Sequence, residues 1–262
     1  MQVDVMPFKD GDFLEIEYTA RNVADKALIA TTDESIAKKE EAYSKDISYG
    51  PVLVVLGANA VVKGLERELK NAEVGKELKF TLKPEDAFGN RSEDLVRVVP
   101  LSEFRSQNIN PYPGMRINMD STIATVKSVG SGRVVVDANH PDAGKEIDYT
   151  VKVIRLLEKD EDKISALGRT YSIKPTKITK AGGVADIYFD STVKKNSDYF
   201  INKASMVAAA FTYLKDIEKI NVHEEYDRKS ATAPESVHEE QEDESEPGSE
   251  GSEGENADAG KE

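Results

Sequence analysis

The 262-residue chain has no cysteine, so it forms no disulfide and does no thiolate chemistry, which favours a reducing compartment. It has three histidines, His140, His223 and His238, far apart and without metal-ligand spacing. We therefore expect no metal site and no cofactor. No apolar run approaches the roughly 18 residues that a membrane-spanning helix needs. The opening residues, MQVDVMPFKDGDFLEIEY, lack a basic stretch followed by an apolar one. The expectation is thus no secretory signal, and a cytoplasmic location. Positive charge is also scarce. The formal net charge is −14, and Glu235 to Glu262 carries 12 acids against Lys261 alone, or −11, which leaves −3 for the rest. A nearly balanced body does not offer the basic face that nucleic acid requires.

What is present is a set of short periodic segments. Phe13 to Arg21 (FLEIEYTAR) alternates with period two, the mark of a half-buried strand. Asp33 to Glu41 begins acidic and turns basic, like a short helix. Tyr49 to Gly57 gives a second strand. Asn59 to Asn71 reads as a helix capped by Asn59, with Val61, Val62, Leu65 and Leu69 on one face. Gly64 in its middle costs about 0.5–1 kcal/mol against alanine, and so marks close backbone packing. Glu77 to Lys83 alternates again and runs into the turn-rich stretch Pro84 to Gly89.

From Arg91 the character changes. Leu95 to Val99 reads as a strand, followed by a helical turn near Glu103 and Phe104 and a loop from Asn110 to Gly114. Three short strands follow, at Met115–Met119, Ser121–Val129 and Arg133–Asp137, making a small all-β module. Gly130-Ser131-Gly132 leads into no helix, so it reads as a hairpin and not a phosphate loop. Asp148 to Leu157 is a strand returning to the first region. A third region, 163–226, holds a strand from Val184 to Asp190. It also holds a long helix from Ser197 to Ile217, capped by Ser197, with Phe200, Ile201, Ala204, Ala208, Phe211 and Leu214 as its apolar face. From Ala231 the chain is rich in Glu, Ser and Gly, and is expected to stay disordered.

Several of these stretches together resemble the FKBP family. They are Ile16-Glu17-Tyr18-Thr19, Val55 to Glu66, Val74-Gly75-Lys76 and Pro84 to Gly89. The segment Asp137 to Gly144 is similar to the return from the insert of SlyD-like members, and 163–226 resembles the extension of long-chain archaeal FKBPs. The resemblance implies an α+β fold, an antiparallel sheet wrapped over one helix as a half-barrel. An isomerase domain is expected over 5–90 and 137–158, an inserted all-β chaperone module over 91–136, and a C-terminal α/β domain over 163–226. The acidic tail would span 231–262.

By position, the resemblance implies a pocket made of Tyr18, Ile29, Val61, Val62, Leu65, Phe88 and Tyr149. Val52 and Val54 stand where the family has second-strand aromatics, and Leu65 replaces its floor tryptophan. Ile29-Ala30 stands where it has Phe-Asp, and Phe88 replaces a tyrosine. The implied activity is peptidyl-prolyl cis/trans isomerisation, with the Val62 backbone N–H donating to a substrate carbonyl. An X-Pro bond turns over a barrier of about 20 kcal/mol, and no covalent bond breaks. A dry apolar pocket favours the twisted amide, which is less polar than the planar one.

The insert reads as a second, apolar binding surface carrying Leu95, Val96, Phe104, Ile109, Pro111, Tyr112 and Met115. Expected partners are unfolded or nascent polypeptides with X-Pro bonds, and a second copy of the chain through 163–226. Nucleic acid and membrane are not expected. Ala30 and Leu65 favour an alternative, a non-catalytic holdase on the same frame.

Overall fold

The computed structural model describes residues 8–119, 122–191 and 198–226. Along the chain, β1 (Phe13–Asn22) and β2 (Leu28–Thr31) lead to α1 (Glu34–Lys39), β3 (Val52–Val55), α2 (Lys63–Leu69) and β4 (Glu77–Leu82). β5 (Val96–Pro100), α3 (Leu101–Ser106), β6 (Arg116–Met119), β7 (Thr122–Gly130) and β8 (Arg133–Asp137) follow. Then come β9 (Ile147–Leu157), α4 (Asp160–Thr170), β10 (Lys177–Ala181), β11 (Val184–Phe189), α5 (Tyr199–Tyr213) and β12 (Lys219–Glu224). The architecture is α+β, built on three sheets.

The alternation in β1 places it at the centre. One edge pairs with β9 along its whole length, and the other pairs with β3 at the start and β2 at the end, all antiparallel. β4 adds to the far side of β9. Because side chains alternate across a strand, Leu14, Ile16 and Ala20 of β1 join Ile147, Tyr149, Val151 and Val153 of β9 in one core. Leu65 and Leu69 of α2 close that core, so the sheet wraps this helix.

α2 is shorter than its sequence suggests. Asn59 adopts a left-handed φ of 53° and does not cap it. Instead Val62 occupies the N-cap position with extended geometry, and no side chain caps the helix. Val61 and Val62 therefore form its approach and not its first turn. Gly64 sits where expected for close packing. A Cβ there would lie 2.5 Å from the Leu82 side chain and 3.0 Å from the Asp86 carbonyl oxygen. Glu66 reaches back to accept the Gly57 N–H at 2.7 Å, which ties the helix to the end of β3.

The second sheet runs β5-β8-β7-β6 over a core of Phe104, Ala124, Val126, Val134 and Val136. Its two crossings to the first sheet are clamped. The Ser92 N–H donates to the Asn139 side chain at 2.8 Å, and Asn139 donates back to the Ser92 carbonyl at 2.8 Å. Beside them Arg91 meets the buried Asp137 carboxylate at 2.6 Å. Burial would raise the Asp137 pKa, but donors from Asn139 and Arg91 outweigh it and hold it low.

The third sheet runs β10-β11-β12, antiparallel then parallel. Its core takes Phe13, Val55 and Leu157 from the first sheet together with residues of α4, β11 and α5. α4, β10 and β12 were not expected from the sequence. Their residues are mostly polar, and while α4 buries Ile164, Ala166, Leu167 and Gly168, no residue of β10 or β12 is fully buried.

The buried face of α5 is also not the expected one. Tyr199, Met206, Ala209, Ala210 and Leu214 point inward, while Phe200, Ile201, Ala204, Ala208 and Phe211 are exposed. A helix apolar around most of its circumference offers two stripes at helical spacing. The stripe with Tyr199 wins because its ring packs edge-on against Phe189 while its hydroxyl reaches Glu224. Ser197, the expected cap, and the acidic tail lie outside the described residues. Asp198 occupies the N-cap position.

Candidate functional site

Between β1, β2 and the approach to α2 lies a hollow of about 370 Å³. It gathers all seven residues expected to line the pocket: Tyr18, Ile29, Val61, Val62, Leu65, Phe88 and Tyr149. Ala20, Ala30 and Ala60 complete its wall. The sequence pattern did not single out Ala20 and Ala60, because small apolar residues carry no signal of their own. Val52 and Val54 belong to the adjoining core and do not line the hollow.

Each wall has a local cause. β1 and β9 run side by side, with Tyr18 opposite Val151 and Ala20 opposite Tyr149. Tyr18 and Tyr149 are tilted neighbours, 6.2 Å between ring centroids, and Phe80 of β4 stacks on Tyr149 at 5.6 Å. Leu65 is 3% exposed and forms the floor. Phe88 is fixed by its turn, where Gly89 N–H donates to the Pro84 carbonyl at 2.7 Å. His140 lies flat against Phe88, with centroids 4.2 Å apart and planes 2° apart. Its Nδ1 accepts the Asp142 N–H at 3.1 Å, which sets the ring orientation. His140, set aside in the sequence as no metal ligand, is thus a packing partner of the pocket.

No charged group lines this hollow. The two phenols stay protonated, since burial raises the pKa of Tyr18 and, with Tyr18 and Asp142 adding to it, pushes that of Tyr149 up to about 12. Among the described residues, neither hydroxyl donates to a protein acceptor, and neither does the Val62 N–H. These groups therefore remain as donors for a bound molecule in an otherwise apolar cavity. A volume near 370 Å³ sits at the small end of ligand sites, which run from about 300 to 1,000 Å³. Among the described residues no cluster of His, Asp or Glu could hold a metal ion.

A larger hollow of about 570 Å³ lies elsewhere, beside Glu15, Arg155, Arg169 and the chain from Asp46 to Leu53. Glu15, Arg155 and Arg169 in its wall already satisfy one another. Glu15 accepts from Arg155 Nε at 2.6 Å and is also bonded by Arg169. Its pKa is held low, chiefly by the Arg155 hydrogen bond. This triad joins β1 and β9 to α4 and serves cohesion.

The expected surface of the insert divides. Phe104 goes to its core at 7% exposure, Ile109 and Met115 pack against that core, and Pro111 is buried. Leu95 and Tyr112 are exposed, and Val96 is half-buried. The large apolar residues on the open face are instead Val98, at 60% exposure, and Ile123, at 51%, with Val129 nearby in sequence on the same strand as Ile123. Strand alternation in β5 and β7 sends Val98 and Ile123 outward while Val126 goes inward, whereas Val129, beyond the irregularity between Val126 and Ser128, pairs with the buried Val134.

A small helix cupped by an antiparallel sheet, with an uncharged aromatic pocket where they meet, defines the FKBP class of isomerase. Residues 6–104 match the family described as FKBP-type peptidyl-prolyl cis-trans isomerase, and residues 97–142 match FKBP26, IF domain. The chain is 32% identical over 145 residues to a short-type peptidyl-prolyl cis-trans isomerase of Methanocaldococcus jannaschii, covering 55% of this chain and 91% of that protein. It is 32% identical over 148 residues to the FKBP-type peptidyl-prolyl cis-trans isomerase SlyD of Vibrio cholerae, covering 55% and 70%. For SlyD of Treponema pallidum the identity is 35% over 122 residues, covering 45% and 69%. The chain belongs to the FKBP-type peptidyl-prolyl cis-trans isomerase family, and its activity class is isomerase.

Proposed function

We propose that this chain accelerates X-Pro isomerisation in folding polypeptides, with the proline ring held among Tyr18, Ile29, Val61, Leu65, Phe88 and Tyr149. The observation that carries this reading is the pairing of an uncharged cavity with an unused backbone donor at Val62. The planar amide has the larger dipole, so a dry wall stabilises the twisted form relative to it. The carbonyl before proline must swing through the reaction, whereas proline's own carbonyl keeps its place relative to the ring. A single fixed donor that holds substrate throughout therefore serves the latter, and the Val62 N–H takes that role. The Tyr18 and Tyr149 hydroxyls, kept protonated, are available to the carbonyl that turns.

Residues 91–136 act in this reading as a chaperone module, holding unfolded chain beside the pocket through the open face with Leu95, Val98, Tyr112 and Ile123. The exposed stripe of α5, with Phe200 65% and Ile201 69% exposed, supports pairing of two copies through the third region. A cytoplasmic site of action fits polypeptide substrates and a chain without cysteine.

The test is proline-limited refolding of an unrelated protein with this chain at substoichiometric amounts. The slow phase should accelerate with turnover, and Tyr149→Ala and Phe88→Ala, each confirmed as folded, should lose most of that effect. If only stoichiometric protein changes the yield, and the slow phase keeps its rate, the chain is a holdase.

A further inference from the structure

A second hollow, of about 240 Å³, adjoins the isomerase pocket. The two share Tyr18, Ile29 and Ala30, so β2 is their common wall. The rest of the second hollow is formed mainly by Leu28, Ala37, Ala42, Ile47 and Tyr49, and no charged residue lines it. It is already shaped. The Ala42 N–H donates to the Ala37 carbonyl at 2.9 Å, and the Gly50 N–H to the Thr32 carbonyl at 2.8 Å. The Tyr49 hydroxyl accepts the Ser44 N–H at 3.1 Å, and Tyr43 stacks on Tyr49 at 5.4 Å. Yet the hollow is open to solvent, for Ile47 on its wall is 53% exposed. Tyr18 and Ile29 on its wall pack against the core around α2, whereas Ile47, Ala42 and Tyr49 enter neither core cluster beside it.

The geometry of an X-Pro segment says what reaches this place. The residue before proline is forced into extended backbone by the ring. Side chains of extended chain alternate, so the residue immediately before proline points away from the face that carries the ring. The residue two positions before proline returns to that face, about 6.6 Å along the chain. With proline's own carbonyl at Val62, which lines only the first pocket, the preceding chain is free to run toward β2.

We propose that the second hollow receives the side chain two positions before the target proline and selects a large apolar one there. The proposal rests on the isomerase reading of the first pocket. A cavity of about 150 Å³ already holds a benzene ring, so 240 Å³ takes a Phe or Leu side chain. Aspartate or glutamate there would enter an uncharged hollow and lose hydration.

The test uses the full chain and three peptides that differ in where one Phe stands: Phe-Ala-Pro-Ala, Ala-Phe-Pro-Ala and Ala-Ala-Pro-Phe, with Ala-Ala-Pro-Ala as reference. Isomerisation is followed by NMR exchange, and binding of the same peptides by calorimetry. Phe-Ala-Pro-Ala should show kcat/KM about fivefold above the reference, from partial burial of the ring. Ile47→Asp should erase that preference and leave the reference peptide unchanged. A preference lying only beside the proline, on either side, overturns the proposal, and so does equal treatment of all four peptides. If no peptide is turned over, the isomerase reading fails by itself. Binding then still decides this proposal, through the preference for Phe-Ala-Pro-Ala and its loss in Ile47→Asp.

Discussion

Glu224 on β12 gives a quantitative test of how the third sheet is held to α5. Its carboxylate accepts from the Tyr199 hydroxyl at 3.0 Å and the Tyr226 hydroxyl at 2.6 Å, and it pairs with Lys203. The side chain is 14% exposed. Burial pushes its pKa up, but the donors from Lys203, Tyr226 and Tyr199 win, and it falls from 4.5 to about 2. Each tenfold change in proton affinity is worth about 1.36 kcal/mol, so the full fall corresponds to roughly 3 kcal/mol. Residual contact with water screens the pair and brings this to about 2 kcal/mol.

A folded pKa below the unfolded one adds stability that is present above the unfolded value, near 4.5, and is lost as pH falls from there toward 2. Glu224→Gln keeps the shape and removes the titration. The variant should be less stable than the parent by about 2 kcal/mol near pH 7, with the gap shrinking below about pH 4.5. Urea unfolding of both proteins across that range reads it. Subtracting one from the other cancels the remaining depressed carboxylates, such as Glu15 and Asp160. Lys203 loses its partner in both proteins at low pH, so it leaves no residue in the difference. A gap that stays constant from about pH 7 to about pH 3 would refute the assignment.

Two further outcomes follow from the surfaces. Replacing Val98 and Ile123 together by lysine should weaken suppression of aggregation several-fold and leave isomerisation of short peptides unchanged, as read by light scattering and NMR exchange. Equal loss in both assays would mean that the insert is not a separate binding surface. Ile201→Glu should convert a dimer to a monomer in sedimentation. A parent chain that is monomeric at high concentration removes the dimer proposal outright.

The seven pocket residues come from the family resemblance and not from periodicity, and they line one hollow in the structure. Period-two alternation marks β1 as a strand, the β1–β9 register then sets Tyr18 and Tyr149 on one face, and Gly64 reports the contact that brings α2 against Leu82. The start of α2 was misread because Asn serves both as a cap and as a left-handed turn residue. At position 59 the turn wins. The face of α5 was misread for a different reason. Phe200 and Ile201 have helical spacing as good as that of Tyr199 and Met206. Only the tertiary partners Phe189 and Glu224 choose between the stripes. The clamp of Ser92 and Asn139 spans 47 positions and leaves no periodic trace at all.

β1 is a wall with an occupant on each side. Leu14 and Ile16 face the core that closes around α2, and Phe13 faces the core shared with α4 and α5. A chain cut after β9 would uncover Phe13, Val55 and Leu157, each now at most 6% exposed, as a sticky patch behind an intact pocket. Making the isomerase portable is therefore a matter of resurfacing those three positions with polar residues. The hollow lined by Tyr18 and Tyr149 would itself need no change.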